Sequence, residues 1–250
     1  MSLVRSQSPR PFMTEHVTLH ALSFFYGEVT LKEVLFHIEP RESAMKEEAK
    51  LTLEYYEENA QSFCLDTQDV DFSIFQLEFM KGLPKQGRIL DLGCGSGRDS
   101  KAFMKAGYHV TAVDGSFELS RKASAFIGQS VICSTFQDYV PTESFDGIWA
   151  CASLLHLPSE ELVEIISRMA GSLNQGGCFY VSFKYGTFRG MRKGRFFQDM
   201  TEASLGELLQ NIPELEILSM KVTSDVRAGR EKEKWLNVFL RKVERASLQH

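Results

Sequence analysis

The stretch "RILDLGCGSGRDS", residues 88–100, runs from a short apolar segment into a loop with glycines at 93, 95 and 97. A dinucleotide-binding turn asks for G-x-G-x-x-G, so that a pyrophosphate rests on the N-terminus of the following helix. Here the third glycine comes one position early, and Arg98 stands where that motif has its glycine. Asp91 puts a carboxylate just ahead of the loop, which favours a ligand bearing an amino group over a bare pyrophosphate. The strand–turn–helix is retained, and its ligand is different.

Working outward, strand-like and helix-like segments alternate. "RILDL" is followed by a helical "RDSKAFMKAG" stopped at Gly107, then by "HVTAVD". A helix over "SFELSRKASAFIG" takes Ser116 as its N-cap. "VICSTF" and "FDGIWACASL" read as the third and fourth strands, "PSEELVEIISRMAGSL" as a helix and "GGCFYVSFK" as the fifth strand. Such alternation means βαβ units, a mostly parallel sheet and helices on both faces. After a helix near "MTEASLGELLQNI", the runs "LEILSMKVTSD" and "KWLNVFLRKV" read as a hairpin that adds an antiparallel edge. Ahead of the glycine loop, "MKEEAKLTLEYYEENAQSF" and "VDFSIFQLEFMKGL" predict two helices.

In an open parallel sheet, ligands bind beyond the carboxyl ends of the strands. The second strand ends at Asp114, where an acid accepts both hydroxyls of a ribose. After the third strand, "STFQDYV" offers Asp138 to an exocyclic amine, flanked by Phe136 and Gln137. "DLGCGSG" with these acids in order resembles the class I S-adenosylmethionine-dependent methyltransferases. "GCGSGRDS", "VDGS" and "ACASLLHLP" resemble their small bacterial branch related to tellurite resistance. The resemblance runs over residues 55–242. It implies a Rossmann-like sheet of seven strands, six parallel and the last antiparallel, with S-adenosylmethionine as cofactor and S-adenosylhomocysteine as product. It further implies that Gly93, Cys94 and Gly95 line the methionine portion and that Arg98 reaches its carboxylate beside Asp91. Asp114, with Gly115 and Ser116 behind it, would hold the ribose. Gln137 and Asp138 would address adenine, Ala150 would face the sulfonium, and Tyr56 would lie over the cofactor.

Bulk properties exclude several classes. The chain has 250 residues and a formal net charge of -5, so it is no uniformly basic nucleic-acid binder. Its five cysteines are scattered singly with no metal-ligand spacing, and they read as reduced thiols of a cytoplasmic protein. Cys94 and Cys151 are read as small packing residues. No apolar run spans a bilayer and no signal peptide is evident. Residues 1–44 read as an N-terminal extension, unstructured or foreign to the natural chain, and residues 45–250 as one methyltransferase domain, monomeric or homodimeric.

The acceptor is less legible, because in-line transfer from a sulfonium needs alignment and dryness more than a dedicated base. His156 is a candidate base or acceptor contact, or a structural histidine packed beside Pro158; Tyr185 is a second catalytic candidate. The segment "KYGTFRGMRKGRFF" carries Lys184, Arg189, Arg192, Lys193 and Arg195, five cations in 12 positions. It reads either as a solvated loop or as a mobile lid that draws in an anionic acceptor. Arg227, Arg230, Trp235 and Asn237 join this candidate acceptor site. A small acceptor is the leading reading. A nucleic-acid or protein acceptor is less favoured, since no NPPY-like run is present. A non-catalytic cofactor sensor is a third reading, and a nicotinamide oxidoreductase is disfavoured by the glycine spacing.

Overall fold

The computed structural model describes residues 47–227 and 229–244, so the expected extension over 1–44 lies outside the described residues. Its frame is a seven-stranded sheet of order β3-β2-β1-β4-β5-β9-β8. The central strands are β1 (Arg88–Leu92), β2 (His109–Asp114), β4 (Phe145–Ala150) and β5 (Leu173–Lys184). They pair in parallel, whereas β9 (Lys234–Lys242) pairs antiparallel with both β5 and β8 (Leu215–Ser224). Six strands therefore share one direction and β9 alone opposes them, as the sequence implied.

Each central strand is buried on both sides, which explains its unbroken apolar run. Leu90, Leu92, Ile148, Phe179 and Val181 project into one core. That core is completed by α5 (Ser159–Ser172) and α6 (Glu202–Leu209). The alternate residues Ile89, Trp149, Cys178 and Tyr180 project to the other side. There they meet α2 (Ser73–Lys81) and α3 (Arg98–Lys105) through Phe75, Phe79 and Phe103. Trp149 stacks on Tyr180 with ring centroids 3.9 Å apart, and both are sealed from solvent. Burying side chains of this size contributes roughly 1.5–3 kcal/mol each.

Ser116 caps α4 (Phe117–Ile127) by accepting the Leu119 N–H, as the sequence predicts. Two strands are shorter than expected. β3 keeps only Ile132–Cys133, because Phe136 to Asp138 turn away from the sheet edge. β4 ends at Ala150, and a 3-10 turn, Leu154–His156, follows. The basic segment, read in the sequence as a solvated loop or a mobile lid, is regular structure. It folds into a second sheet, the hairpin β6 (Arg189–Arg192) and β7 (Arg195–Gln198), around Lys193 and Gly194. Gly194 takes the left-handed conformation that a tight hairpin turn favours. The long helix α1 (Glu47–Thr67) packs on α4 and on β7. Its Glu57 accepts the N–H groups of Phe117 and Glu118, covering the exposed N-terminus of α4.

Candidate functional site

A cavity of about 580 Å3 opens beyond the carboxyl ends of the parallel strands. It lies where strand order reverses between β1 and β4, which is the switch point of such sheets. The part of its lining that comes from the ends of β1 and β2 and the turn after β3 is called the inner arm, and the part from β4, β5, β9 and the hairpin the outer arm.

The glycine loop is the floor of the inner arm. Gly93 and Cys94 both donate to the Val113 carbonyl, which folds the loop across the end of β2. Gly95 has φ +55, and a Cβ there would lie 2.9 Å from Phe63 Cε1. Asp114 accepts the Gly95 N–H at 2.8 Å on one oxygen and the Ser116 N–H at 2.9 Å on the other. Burial lifts its pKa to about 6 against these two bonds. α1 forms the roof, with Leu53 above Gly115 and Phe63 above Gly95.

Of the residues expected around a cofactor, Tyr56, Gly93, Cys94, Gly95, Arg98, Asp114, Gly115 and Gln137 line this cavity. Four do not, each for a visible reason. Asp91 lies beneath the loop and accepts the Ser100 hydroxyl at 2.6 Å; burial and the neighbouring Asp99 raise its pKa. The Ser116 hydroxyl is consumed as a helix cap. Asp138 is exposed and accepts Thr135 Oγ1 at 2.6 Å, because the turn that shortens β3 points it outward. Ala150 is sealed in the core, and the early end of β4 gives its expected place to Cys151, Ala152 and Ser153. The two cysteines are packing thiols. Burial pushes Cys94 well up and Cys151 up to about 12.

Asp99 escaped notice in the sequence because it reads as an ordinary first-turn acid. It is 7 % exposed, yet it receives Gln76 at 2.6 Å, Arg98 at 2.8 Å on each oxygen and Trp149 Nε1 at 2.9 Å. Burial works against the Arg98 charge, but Asp99 outweighs it and raises the guanidinium pKa. Arg98 also stacks 4.7 Å over Phe72. It is thereby a fixed cation on the inner wall.

Between the two arms stands a hydrogen-bonded chain. His156 Nδ1 is 2.6 Å from the Phe196 carbonyl, which can only accept, so Nδ1 carries the proton. Nε2 is then an acceptor for the Tyr56 hydroxyl at 2.8 Å, and Arg195 Nη1 donates to that hydroxyl oxygen at 3.2 Å. Burial lowers the His156 pKa to about 4, and burial raises that of Tyr56 in spite of Arg195. His156 is thus neutral near pH 7, and it lines the cavity with both ring nitrogens hydrogen-bonded within the protein. Tyr185 also lines the cavity, but the Glu202 carboxylate beside its hydroxyl raises its pKa.

The partly buried cations of the outer arm other than Arg195 have carboxylate partners. Lys184 pairs with Glu233 and lies 3.8 Å from Asp225, over the Trp235 ring. Arg227 is bound to Asp225, which also accepts Trp235 Nε1 at 2.9 Å. Burial opposes the Asp225 charge, but these bonds hold its pKa below the usual carboxylate range. Arg192 pairs with Asp199 at 2.7 Å. Arg189, expected at the acceptor site, is instead bound to Glu160 at 3.1 Å and does not line the cavity. Arg230, Trp235 and Asn237 do line it.

Comparison with known proteins agrees with this architecture. Residues 89–177 match the family described as a methyltransferase domain. A ubiquinone biosynthesis O-methyltransferase of Xylella fastidiosa is 34% identical over 110 residues, 41% of this chain and 44% of that protein. The match thus spans less than half of that relative's length. Among solved structures, 1,6-didemethyltoxoflavin-N1-methyltransferase of Burkholderia thailandensis is similar, with a TM-score of 0.65 at 20% identity over 80% of this chain and 91% of that one. TehB of Haemophilus influenzae is also similar, with a TM-score of 0.58 at 21% identity, covering 74% of this chain and 67% of that one.

Proposed function

We propose that this chain, whose residues 89–177 are a methyltransferase domain within a class I methyltransferase fold, binds S-adenosylmethionine in the inner arm and methylates a small acceptor in the outer arm. The observation that carries this reading is Asp114 at the end of β2, buried against the Gly95 N–H under a glycine floor that a single Cβ would fill. That donor and acceptor set suits a nucleoside with an amino-acid tail. Asp114 keeps free lone pairs for ribose hydroxyls, and Phe136 and Gln137 supply a flat wall and an amide for a base. Arg98, fixed by Asp99, offers its remaining donors to a carboxylate. Similar proteins solved with S-adenosylhomocysteine, such as the 1,6-didemethyltoxoflavin-N1-methyltransferase, support the same cofactor.

When bound, the cofactor supplies an electrophilic methyl group on a sulfonium. The chain's own task is to align the nucleophile and keep water out. α1 closes the inner arm through Leu53, Tyr56 and Phe63, and the Tyr56 hydroxyl, donated to the neutral Nε2 of His156, holds that roof in place. An anionic acceptor fits the wall, because nine basic residues line the cavity against five acidic ones in a chain of net charge -5.

The test is calorimetry with S-adenosylhomocysteine on wild type and Asp114→Ala, alongside turnover of labelled S-adenosylmethionine with an acceptor panel. Loss of binding in the variant is the expected result. Equal affinity of the two proteins overturns the assignment of the inner arm, and binding without any turnover favours a cofactor sensor.

A further inference from the structure

Five of the cations on the cavity wall are partly buried: Arg98, Lys184, Arg192, Arg195 and Arg227. Four of them hold a carboxylate, namely Asp99, Glu233, Asp199 and Asp225. Among the described residues, Arg195 forms no such pair. Its Nη1 donates to the uncharged Tyr56 hydroxyl, and its Nε is buried without any hydrogen-bond partner. Its neighbours are aromatic instead, with Tyr55 at 4.3 Å, Phe197 at 5.2 Å and Tyr56 at 5.5 Å from the guanidinium carbon to the ring centroids.

The register of the hairpin makes this position more costly. Arg192 and Arg195 are cross-strand partners flanking the turn, and both lie over the Phe197 ring. Like charges placed directly opposite destabilise a strand pair. Asp199 compensates Arg192, and no acid compensates Arg195. A guanidinium held between rings, short of solvent and without a counter-ion, is poised for a planar anion that meets its fork and lies against the same rings.

We infer that Arg195 is the anchor for the acceptor, and that the acceptor is a singly charged aromatic carboxylate. The inference rests on the outer arm being the acceptor site. Among the partly buried cations one charge is uncompensated, and it matches one negative charge. A guanidinium matches a carboxylate in shape, and Phe197, His156 and Tyr56 form a ring-lined wall beside it, with His156 and Phe197 centroids 4.9 Å apart. The other partly buried cations of this wall are paired within the protein, and Lys193, Arg230, Lys232 and Lys234 are exposed, so the cluster that looks polybasic in sequence offers a single half-buried anchoring point.

The test uses salicylate and its neutral isostere salicylamide as probes on the full chain saturated with S-adenosylhomocysteine, read by calorimetry and by Trp235 fluorescence. Salicylate is expected to bind at least about tenfold tighter than salicylamide, and Arg195→Met is expected to abolish that preference while S-adenosylhomocysteine affinity stays within about twofold. Arg195→Lys, which keeps the charge and loses the planar fork, is expected to retain only part of the preference, and it serves should the methionine variant not fold. Equal binding of the two probes, no binding of either, or a preference that survives Arg195→Met overturns the inference. A tenfold loss of S-adenosylhomocysteine affinity in Arg195→Met also overturns it, by giving the anion to the cofactor's carboxylate. If wild type does not bind S-adenosylhomocysteine at all, the inner-arm reading has failed instead.

Discussion

Tyr56 Oη lies 2.8 Å from His156 Nε2, and this one bond joins the helix over the inner arm to the turn that floors the outer one. Because Nδ1 is committed to the Phe196 carbonyl, the Tyr56 proton points at His156 and its oxygen remains open to Arg195. Removing the hydroxyl in Tyr56→Phe keeps the ring and strands both partners. The expected outcome is a stability loss of about 1 kcal/mol, S-adenosylhomocysteine affinity within about threefold of wild type, and turnover down by about tenfold or more. Thermal melts, calorimetry and initial rates read the three quantities separately. A parallel loss of affinity and rate would place Tyr56 on the cofactor alone.

The contrast between the two arms shows what a sequence exposes. β1, β2 and the Ser116 cap were legible to the residue, because a buried parallel strand and a helix start are local patterns. The acids Asp91 and Asp138 were legible as residues, and the structure places neither on the cavity lining. Asp91 is taken by Ser100, only nine positions on, and Asp138 is turned outward where β3 stops after two residues. Charge pairing across the chain was not legible at all. Nothing in "RGMRKGRFF" announces that Arg189 meets Glu160 of α5, or that Arg192 meets Asp199 while Arg195 meets none.

The pKa of His156 gives an acid-stability signature. The folded value is about 4, below the ordinary 6.5, so the unfolded chain takes up the proton first as pH falls. The contribution is fully present above pH 6.5 and is lost as pH drops through 4. Since the ring is partly open to the cavity, its size is on the order of 1 kcal/mol. Melting temperatures of His156→Gln and wild type should therefore diverge in slope between pH 6.5 and 4 and run parallel above pH 7. Parallel curves throughout would mean that the imidazole is hydrated.

Asp114 carries the opposite sign. Its folded pKa of about 6 exceeds the ordinary 3.8, so its contribution to stability is greatest below 3.8 and is lost as pH rises through 6. For ligand binding the direction reverses, because an ionised carboxylate is the better acceptor for ribose hydroxyls. S-adenosylhomocysteine affinity is expected to weaken below pH 6, by at most about tenfold per unit, with proton release on binding at pH 5.5. Calorimetry in buffers of different ionisation enthalpy counts that proton. Asp114→Asn should flatten the profile.

The early third glycine is required by the backbone and by close packing. Gly97 has φ +80, and a Cβ there would lie 2.9 Å from Ile127 Cγ2 and 3.3 Å from Ala123 Cβ on α4. Gly97→Ala is expected to cost about 1–2 kcal/mol from the left-handed backbone, plus strain between α3 and α4. The loss in urea midpoint should be the same with and without S-adenosylhomocysteine once ligand linkage is subtracted. Gly95→Ala, which meets Phe63 over the inner arm, should instead weaken ligand binding.

Arg192 and Arg195 face each other across one turn and are expected to fail differently. Arg192→Met leaves Asp199, 7 % exposed, without the one cation bonded to it among the described residues, and its other oxygen is already buried without a partner. A loss of about 1–3 kcal/mol follows, and the double variant Arg192→Met/Asp199→Asn should recover most of it, because the stranded charge is gone. Arg195→Met removes a cation that no carboxylate needs and relieves its repulsion with Arg192, so stability should change by less than about 1 kcal/mol. Denaturant titration of the four proteins, wild type included, decides the matter. If Arg195→Met proves as destabilising as Arg192→Met and no second substitution rescues it, Arg195 serves the hairpin and not a ligand.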